Sequence, residues 1–148
     1  MSQPRNKTIL IVDDEDSFRY TVGRMLRALG YEVLDAENGE DGLIKADNVD
    51  VILLDLQLPK MSGVDLLKRI RESGNYTPVI VVSGESRMNE RFKDINKYEI
   101  VDYLEKPCRM DVLADKVGES IRTAEDIRTI GEASTKIGEF VKRNGGGK

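Results

Sequence analysis

Three short runs without a polar residue restrict this chain more than any other feature. Residues 9–12 (I-L-I-V), 51–54 (V-I-L-L) and 79–82 (V-I-V-V) are continuously apolar, and the lack of alternation suits strands buried on both faces of a parallel sheet. Each run ends abruptly. The first gives out into Asp13-Asp14-Glu15-Asp16, the second into Asp55 and the turn-rich L-Q-L-P-K-M-S-G, and the third into Ser83-Gly84. Neighbouring strands lie about 4.8 Å apart, so Asp13 or Asp14, Asp55 and Ser83 share one edge. In open parallel sheets that edge is where ligands bind.

The segments between the runs carry helical spacing. Phe18, Val22, Met25, Leu26 and Leu29 recur at intervals of three and four ahead of Gly30, a glycine placed where a helix ends. Asp16 and Ser17 are expected to cap that helix. Asn38 with Asp41 predicts a cap for a helix over 39–47, and Ser62 with Asp65 predicts another ahead of Val64, Leu67 and Ile70. Ser86 is the candidate cap for a helix over 87–97, the one poorest in apolar residues. The stretches 31–36 and 100–104 mix charge with apolar residues, as edge strands do, and Met110, Leu113, Ala114, Val117, Ile121 and Ala124 form a final stripe. Five strands alternating with five helices predict an α/β, flavodoxin-like doubly wound (βα)5 fold, with a parallel five-stranded sheet in the order 2-1-3-4-5.

One domain is expected over 1–122 and a C-terminal helical extension over 123–148. In the extension Ile127, Ile130, Ser134, Ile137 and Val141 keep helical spacing, but Gly131 and Gly138 stand among them, each costing roughly 1 kcal/mol relative to alanine. The expected helix is therefore weak, lying either on its own domain or in a dimer seam. The final N-G-G-G-K reads as a flexible end.

The chain has no histidine and one cysteine. That removes Ser-His-Asp and Cys-His catalysis and histidine-bound zinc, leaving carboxylates, a lysine and a hydroxyl. Cys108 has no partner for an internal disulfide and is read as packing. A net charge of −4 without an extended basic block does not favour nucleic acid or an anionic membrane as direct partner. Nothing resembles a signal peptide or a membrane span, so a cytoplasmic protein is expected. Carboxylates gathered at one edge repel each other unless a cation intervenes, and hard oxygen donors around a small pocket suit Mg²⁺. Phosphate oxygens complement such a site, and phosphoryl transfer is mainly positioning and charge neutralisation. The remaining requirement is a nucleophile, and Asp55 can be one.

V-D-D-E-D-S after the first strand, L-L-D-L-Q-L-P-K-M-S-G after the third, V-V-S-G-E after the fourth and Y-L-E-K-P after the fifth together resemble the receiver domain of bacterial two-component response regulators, of the chemotaxis-regulator type. The resemblance covers roughly 7–122. It implies that Asp55 is the phosphoacceptor, taking a phosphoryl group from a histidine kinase or phosphotransfer protein. It implies that Asp14, Asp55 and the Gln57 backbone carbonyl hold Mg²⁺, with Asp13 on a metal-bound water. Lys106 pairs with the phosphoryl oxygens, Pro107 follows a cis bond, and Ser83 and Tyr103 are the switch, Tyr103 following inward and altering the face of helix four, strand five and helix five. Gln57 and Glu85 tune the phosphoryl lifetime. Such a protein is a switch with self-catalysed phosphorylation and dephosphorylation, not a conventional enzyme. Its output is a protein effector or an attached output domain. Separately, the 4-5-5 face and the tail are the two candidate surfaces for a homodimer. Two rivals stand beside this reading. One is an aspartyl-phosphate phosphatase of the haloacid dehalogenase type, whose D-x-D motif Asp14-Glu15-Asp16 matches loosely. The other is an unphosphorylated scaffold dimerising through its tail.

Overall fold

The three apolar runs become β1 (Thr8–Val12), β3 (Val51–Leu54) and β4 (Val79–Ser83), flanked by the mixed strands β2 (Glu32–Ala36) and β5 (Asp102–Glu105). In the computed structural model, which describes residues 6–88 and 90–145, they form one parallel sheet in the order β2-β1-β3-β4-β5. Successive side chains of a strand point to opposite faces, and each face has its own core. Leu10, Val12, Ile52, Leu54, Val79 and Val81 pack against α2 (Gly39–Lys45) and α3 (Gly63–Glu72), burying Leu66, Leu67 and Ile70. Ile9, Ile11, Val51, Leu53, Ile80 and Val82 pack against α1 (Asp16–Ala28) and α5 (Met110–Gly145), burying Val22, Leu26, Leu113 and Val117. At about 1.5–3 kcal/mol for each large aliphatic side chain removed from water, these layers fix the strand order and hold the strand ends still.

Local signals at helix ends are realised where the partner is close in sequence. Asn38 Oδ1 accepts from the Asp41 amide at 2.8 Å and Ser62 Oγ from the Asp65 amide at 3.1 Å. Gly30 closes α1 with φ of 96°, a conformation that disfavours a side chain. The N-terminus of α1 differs from expectation. Glu15 holds the cap position without a side-chain hydrogen bond, and the Ser17 hydroxyl donates to Glu15 Oε1 at 3.2 Å instead of capping. Asp16 is ion-paired with Arg19.

The fourth helix is also shorter than expected. α4 runs only over Arg91–Asn96, while Ser86 Oγ accepts from the Met88 amide at 3.1 Å in a turn. Arg87 is engaged by β5: its amide donates to Glu105 Oε1 at 2.8 Å and its guanidinium to Asp102 Oδ1 at 2.9 Å, which keeps this stretch out of a helix. At the amino ends of the strands, the buried guanidinium of Arg71 donates to the carbonyls of Asn75 (2.9 Å), Thr77 (2.8 Å) and Tyr98 (2.8 Å). It ties α3 to the segments that enter β4 and β5. Burial lowers its pKa, against the opposing pull of Glu99 and Tyr76.

The C-terminal extension is helical as expected, but not the weak helix that its glycines suggest. α5 continues without a break through Arg122 to Gly145, 36 residues in all, about 54 Å at 1.5 Å per residue. Its first half is held by Leu113, Val117 and Ile121 against the core, and each residue after a formed nucleus adds a hydrogen bond at low cost. The second half does not lie on its own domain. Ile127, Ile130, Ile137, Phe140 and Val141 are between 58% and 67% exposed. The expected flexible end falls on 146–148, outside the described residues. Among the described residues no helix is long and apolar enough to cross a membrane.

Candidate functional site

The carboxyl ends of β1, β3, β4 and β5 bring the predicted residues together. Asp13 and Asp55 follow directly on β1 and β3, at 1% and 5% exposure, and the Asp55 amide donates to the Val12 carbonyl at 2.9 Å, locking the two strand ends in step. Asp14 stands beside them in solvent. One carboxylate oxygen from each of Asp13, Asp14 and Asp55 lies within 4.8 Å of the others. Two full negative charges at such a separation repel by roughly 3–4 kcal/mol at an effective dielectric constant near 20, so the cluster demands positive charge.

Lys106, next after β5, provides part of it. Its ammonium lies 2.6 Å from Asp13 Oδ2, 3.2 Å from Asp55 Oδ2 and 3.4 Å from Glu15 Oε2. Burial opposes the charge on Lys106, but the Asp13 and Asp55 carboxylates outweigh it and raise its pKa. For Asp13 burial dominates, and with the charge of Asp55 it raises the carboxyl pKa despite the hydrogen bonds from Lys106 and the Glu15 amide. Asp13 Oδ1 takes that amide at 2.8 Å and Asp55 Oδ1 the Gln57 amide at 3.0 Å. The Lys106-Pro107 bond is cis, and the Lys106 amide donates to the Ser83 carbonyl at 2.8 Å.

One lysine leaves three converging carboxylates undercompensated, and among the described residues Asp14 has no ion pair. Hard oxygen donors in this arrangement fit a divalent cation such as Mg²⁺. A cleft of about 320 Å³ opens beside Asp14, lined by Glu37, Asn38, Pro59 and Met61 among others.

Ser83 is fully buried, and its Oγ accepts from the Glu85 amide at 3.3 Å. Tyr103 already lies inward, with its hydroxyl donating to the Glu85 carbonyl at 2.7 Å. Burial pushes its phenol pKa up, against a hydrogen bond with Ser83. Cys108 is partly buried against the α1–α5 core, as packing.

Four contributors escaped the sequence reading. Phe18 presents its ring 4.2 Å from the Lys106 ammonium, a cation–π contact that steadies the charge. Glu15 reaches the same ammonium. Arg87 stacks over the Tyr103 ring at 5.9 Å and donates to the Tyr103 carbonyl. Gly63 admits the β3–α3 loop to the site: a Cβ there would meet the Asp55 carbonyl oxygen at 2.2 Å and the Leu56 Cα at 2.6 Å. Its appearance in a turn-rich loop was the available signal, but the close approach has no sequence signature.

A model of the response regulator receiver domain matches residues 9–118. The chain belongs to the response regulator receiver family. Over 116 residues it is 40% identical to the autoinducer 1 sensor kinase/phosphatase LuxN of Vibrio campbellii, covering 77% of this chain and 13% of that protein. It is 35% identical to the transcriptional regulatory protein DltR of Streptococcus agalactiae, covering 81% and 54%, and 34% identical to a cyclic di-GMP phosphodiesterase of Thermotoga maritima, covering 78% and 31%. The chain therefore spans from an eighth to about half of the length of these relatives. A CheY-like receiver domain protein from Methanospirillum hungatei superposes with a TM-score of 0.78 at 29% identity, covering 82% of this chain and 98% of that one. The signal receiver domain of a putative LuxO repressor from Vibrio parahaemolyticus gives 0.79 at 25% identity, covering 85% and 98%. This receiver is thus part of phosphorelay signalling. The dehalogenase-type alternative loses its motif, because Asp16 is paired with Arg19 and strongly exposed.

Proposed function

We propose that this receiver takes a phosphoryl group from the phosphohistidine of a sensor kinase or phosphotransfer protein onto Asp55, and that the acyl phosphate alters a protein-binding surface. The observation that carries the reading is the Lys106 ammonium shared between Asp13 and Asp55, at 2.6 and 3.2 Å. An Asp55 carboxylate oxygen attacks phosphorus, an O–P bond forms, the P–N bond breaks, and the imidazole leaves with a proton. Lys106 then moves its charge from the Asp55 carboxylate to the phosphoryl oxygens. Asp13, Asp14, Asp55 and the Gln57 backbone carbonyl would hold Mg²⁺, which when bound neutralises charge on the transferred group. Water reverses the modification by attacking the acyl phosphate, and Gln57 and Glu85, two residues beyond Asp55 and Ser83, set its access.

The Ser83 hydroxyl turns from its local contact to the phosphoryl group, and the Glu85 segment, hydrogen-bonded to Tyr103, carries the change to β5. This is a local charge event biasing a two-state surface. Residues 1–122 form the receiver and 123–148 an extension, and the protein acts in the cytoplasm on a protein effector or an attached output domain. The test is intact mass after incubation with Mg²⁺ and acetyl phosphate, beside the Asp55→Asn variant. The gain of one phosphoryl group, lost in the variant, is the expected result. No gain in the unaltered protein, with its circular dichroism intact, overturns the proposal.

A further inference from the structure

The projecting half of α5 has a pattern that the receiver's chemistry does not use. Ile127, Ile130, Ser134, Ile137 and Val141 are separated by three, four, three and four residues, a seven-residue period. A mean repeat of 3.5 is the spacing at which one helix keeps a continuous seam against another, whereas a helix lying on a globular surface follows 3.6. With Ile127 at position a and Ile130 at d, every charged residue from 128 to 143 falls at b, c or f: Arg128, Glu132, Lys136, Glu139, Lys142 and Arg143. Positions e and g carry Gly131, Ala133, Gly138 and Phe140. One face is thus free of charge along its length and the other carries both signs.

The seam does not prolong the stripe by which α5 grips its own domain. At about 100° per residue, the seam is turned roughly a quarter of the way round the helix from Leu113 and Val117. Its apolar members remain exposed, and a Cβ added at Gly131 or Gly138 would meet nothing within 4 Å.

We infer that the occupant of this face is a second copy of the chain, its 127–141 seam paired with the same seam across a two-fold axis. A neutral seam meets itself without like-charge repulsion, which a charged docking helix would not require, and a two-fold axis repeats the same contact on both partners. Gly131 and Gly138 let the backbones come close, and Ser134 occupies the middle of the seam in either orientation. The alternative face for self-association is poorer. The described exposed residues of α4 and the outer side of α5 include Lys93, Asp94, Asp111, Asp115 and Glu119. A seam of this length is short, so the dimer is reversible and concentration-dependent.

Sedimentation equilibrium of the full chain without phosphodonor tests this independently of Asp55 chemistry. The expected result is a monomer–dimer equilibrium between 16.6 kDa and twice that mass. Ile130→Glu combined with Ile137→Glu raises the dimer dissociation constant at least ~100-fold, because four apolar seam residues become charged. The outer-face variant Glu132→Gln leaves it unchanged. A chain monomeric at several hundred micromolar overturns the inference, and so does a dimer that survives the double substitution. Unchanged helicity by circular dichroism separates loss of pairing from loss of the helix.

Discussion

Replacing Gly63 by alanine isolates the contact that lets the loop after β3 lie against Asp55. Gly63 opens α3, where alanine is the better helix former and Ser62 retains its cap, so helix propensity alone predicts a gain. The structure predicts the opposite. The new Cβ would lie 2.2 Å from the Asp55 carbonyl oxygen and 2.6 Å from the Leu56 Cα, both backbone atoms without a rotamer to yield. The loop must move out by roughly 1 Å, an overpacking cost of about 1–3 kcal/mol. The Gly63 amide also loses its 2.9 Å bond to the Leu56 carbonyl, worth a further 0.5–1.5 kcal/mol or about that. A loss of about 2–4 kcal/mol corresponds to a melting temperature lower by roughly 6–12 °C. Because the displaced atoms belong to Asp55 itself, the rate of labelling by acetyl phosphate falls about 10- to 100-fold. Gly118→Ala is the control: its Cβ meets only the flexible end of Arg122 at 3.3 Å, and the change stabilises by about 0.5–1 kcal/mol. Urea denaturation and labelling kinetics on both variants decide the matter. A Gly63→Ala protein as stable as the unaltered chain refutes the steric argument.

Two further outcomes are expected. Burial would raise the Asp102 carboxyl, but the Tyr103 amide, Lys116 and Arg87 together pull it below its ordinary 3.8. A depressed carboxyl stabilises the fold above its unfolded pKa and loses that contribution as pH falls through the folded value, so Asp102→Asn is less stable at neutral pH and the gap narrows below about pH 4; an unchanging gap in urea midpoints contradicts this. Arg87→Ala removes the guanidinium's stacking on the Tyr103 ring and its hydrogen bonds to Asp102 and the Tyr103 carbonyl, costing about 1 kcal/mol and loosening Tyr103, which NMR ring signals and amide exchange report. An unperturbed Tyr103 resonance in that variant rules out the coupling.

What was legible in the sequence follows from the range of the interactions involved. The runs 9–12, 51–54 and 79–82 were readable because burial on both faces leaves no polar residue to blur the pattern, and Asn38 and Ser62 because a cap reaches only three residues. The start of α1 misled for a physical reason. Asp13 has been drawn into the pocket, from where its carboxylate takes the Glu15 amide, leaving Glu15 rather than Asp16 or Ser17 at the cap. Arg87 was read as helix because its partners lie fifteen or more residues away on β5. Gly131 and Gly138 argued against a helix that the packed half of α5 nucleates. The conserving of order at the pocket, with carboxylate, carboxylate, hydroxyl and lysine at successive strand ends, was visible, whereas the Phe18 ring under the lysine depends on how α1 leans on the sheet.

The Asp13–Lys106 pair closes a loop of 93 residues. Asp13, Asp14 and Asp55 emerge from the ribosome well before the lysine that neutralises them, and contacts so distant in sequence pay their chain entropy late. The pocket therefore cannot close before β5 has joined the sheet. A nascent or truncated chain ending before β5 carries Asp13, Asp14 and Asp55 but not the lysine that holds them together.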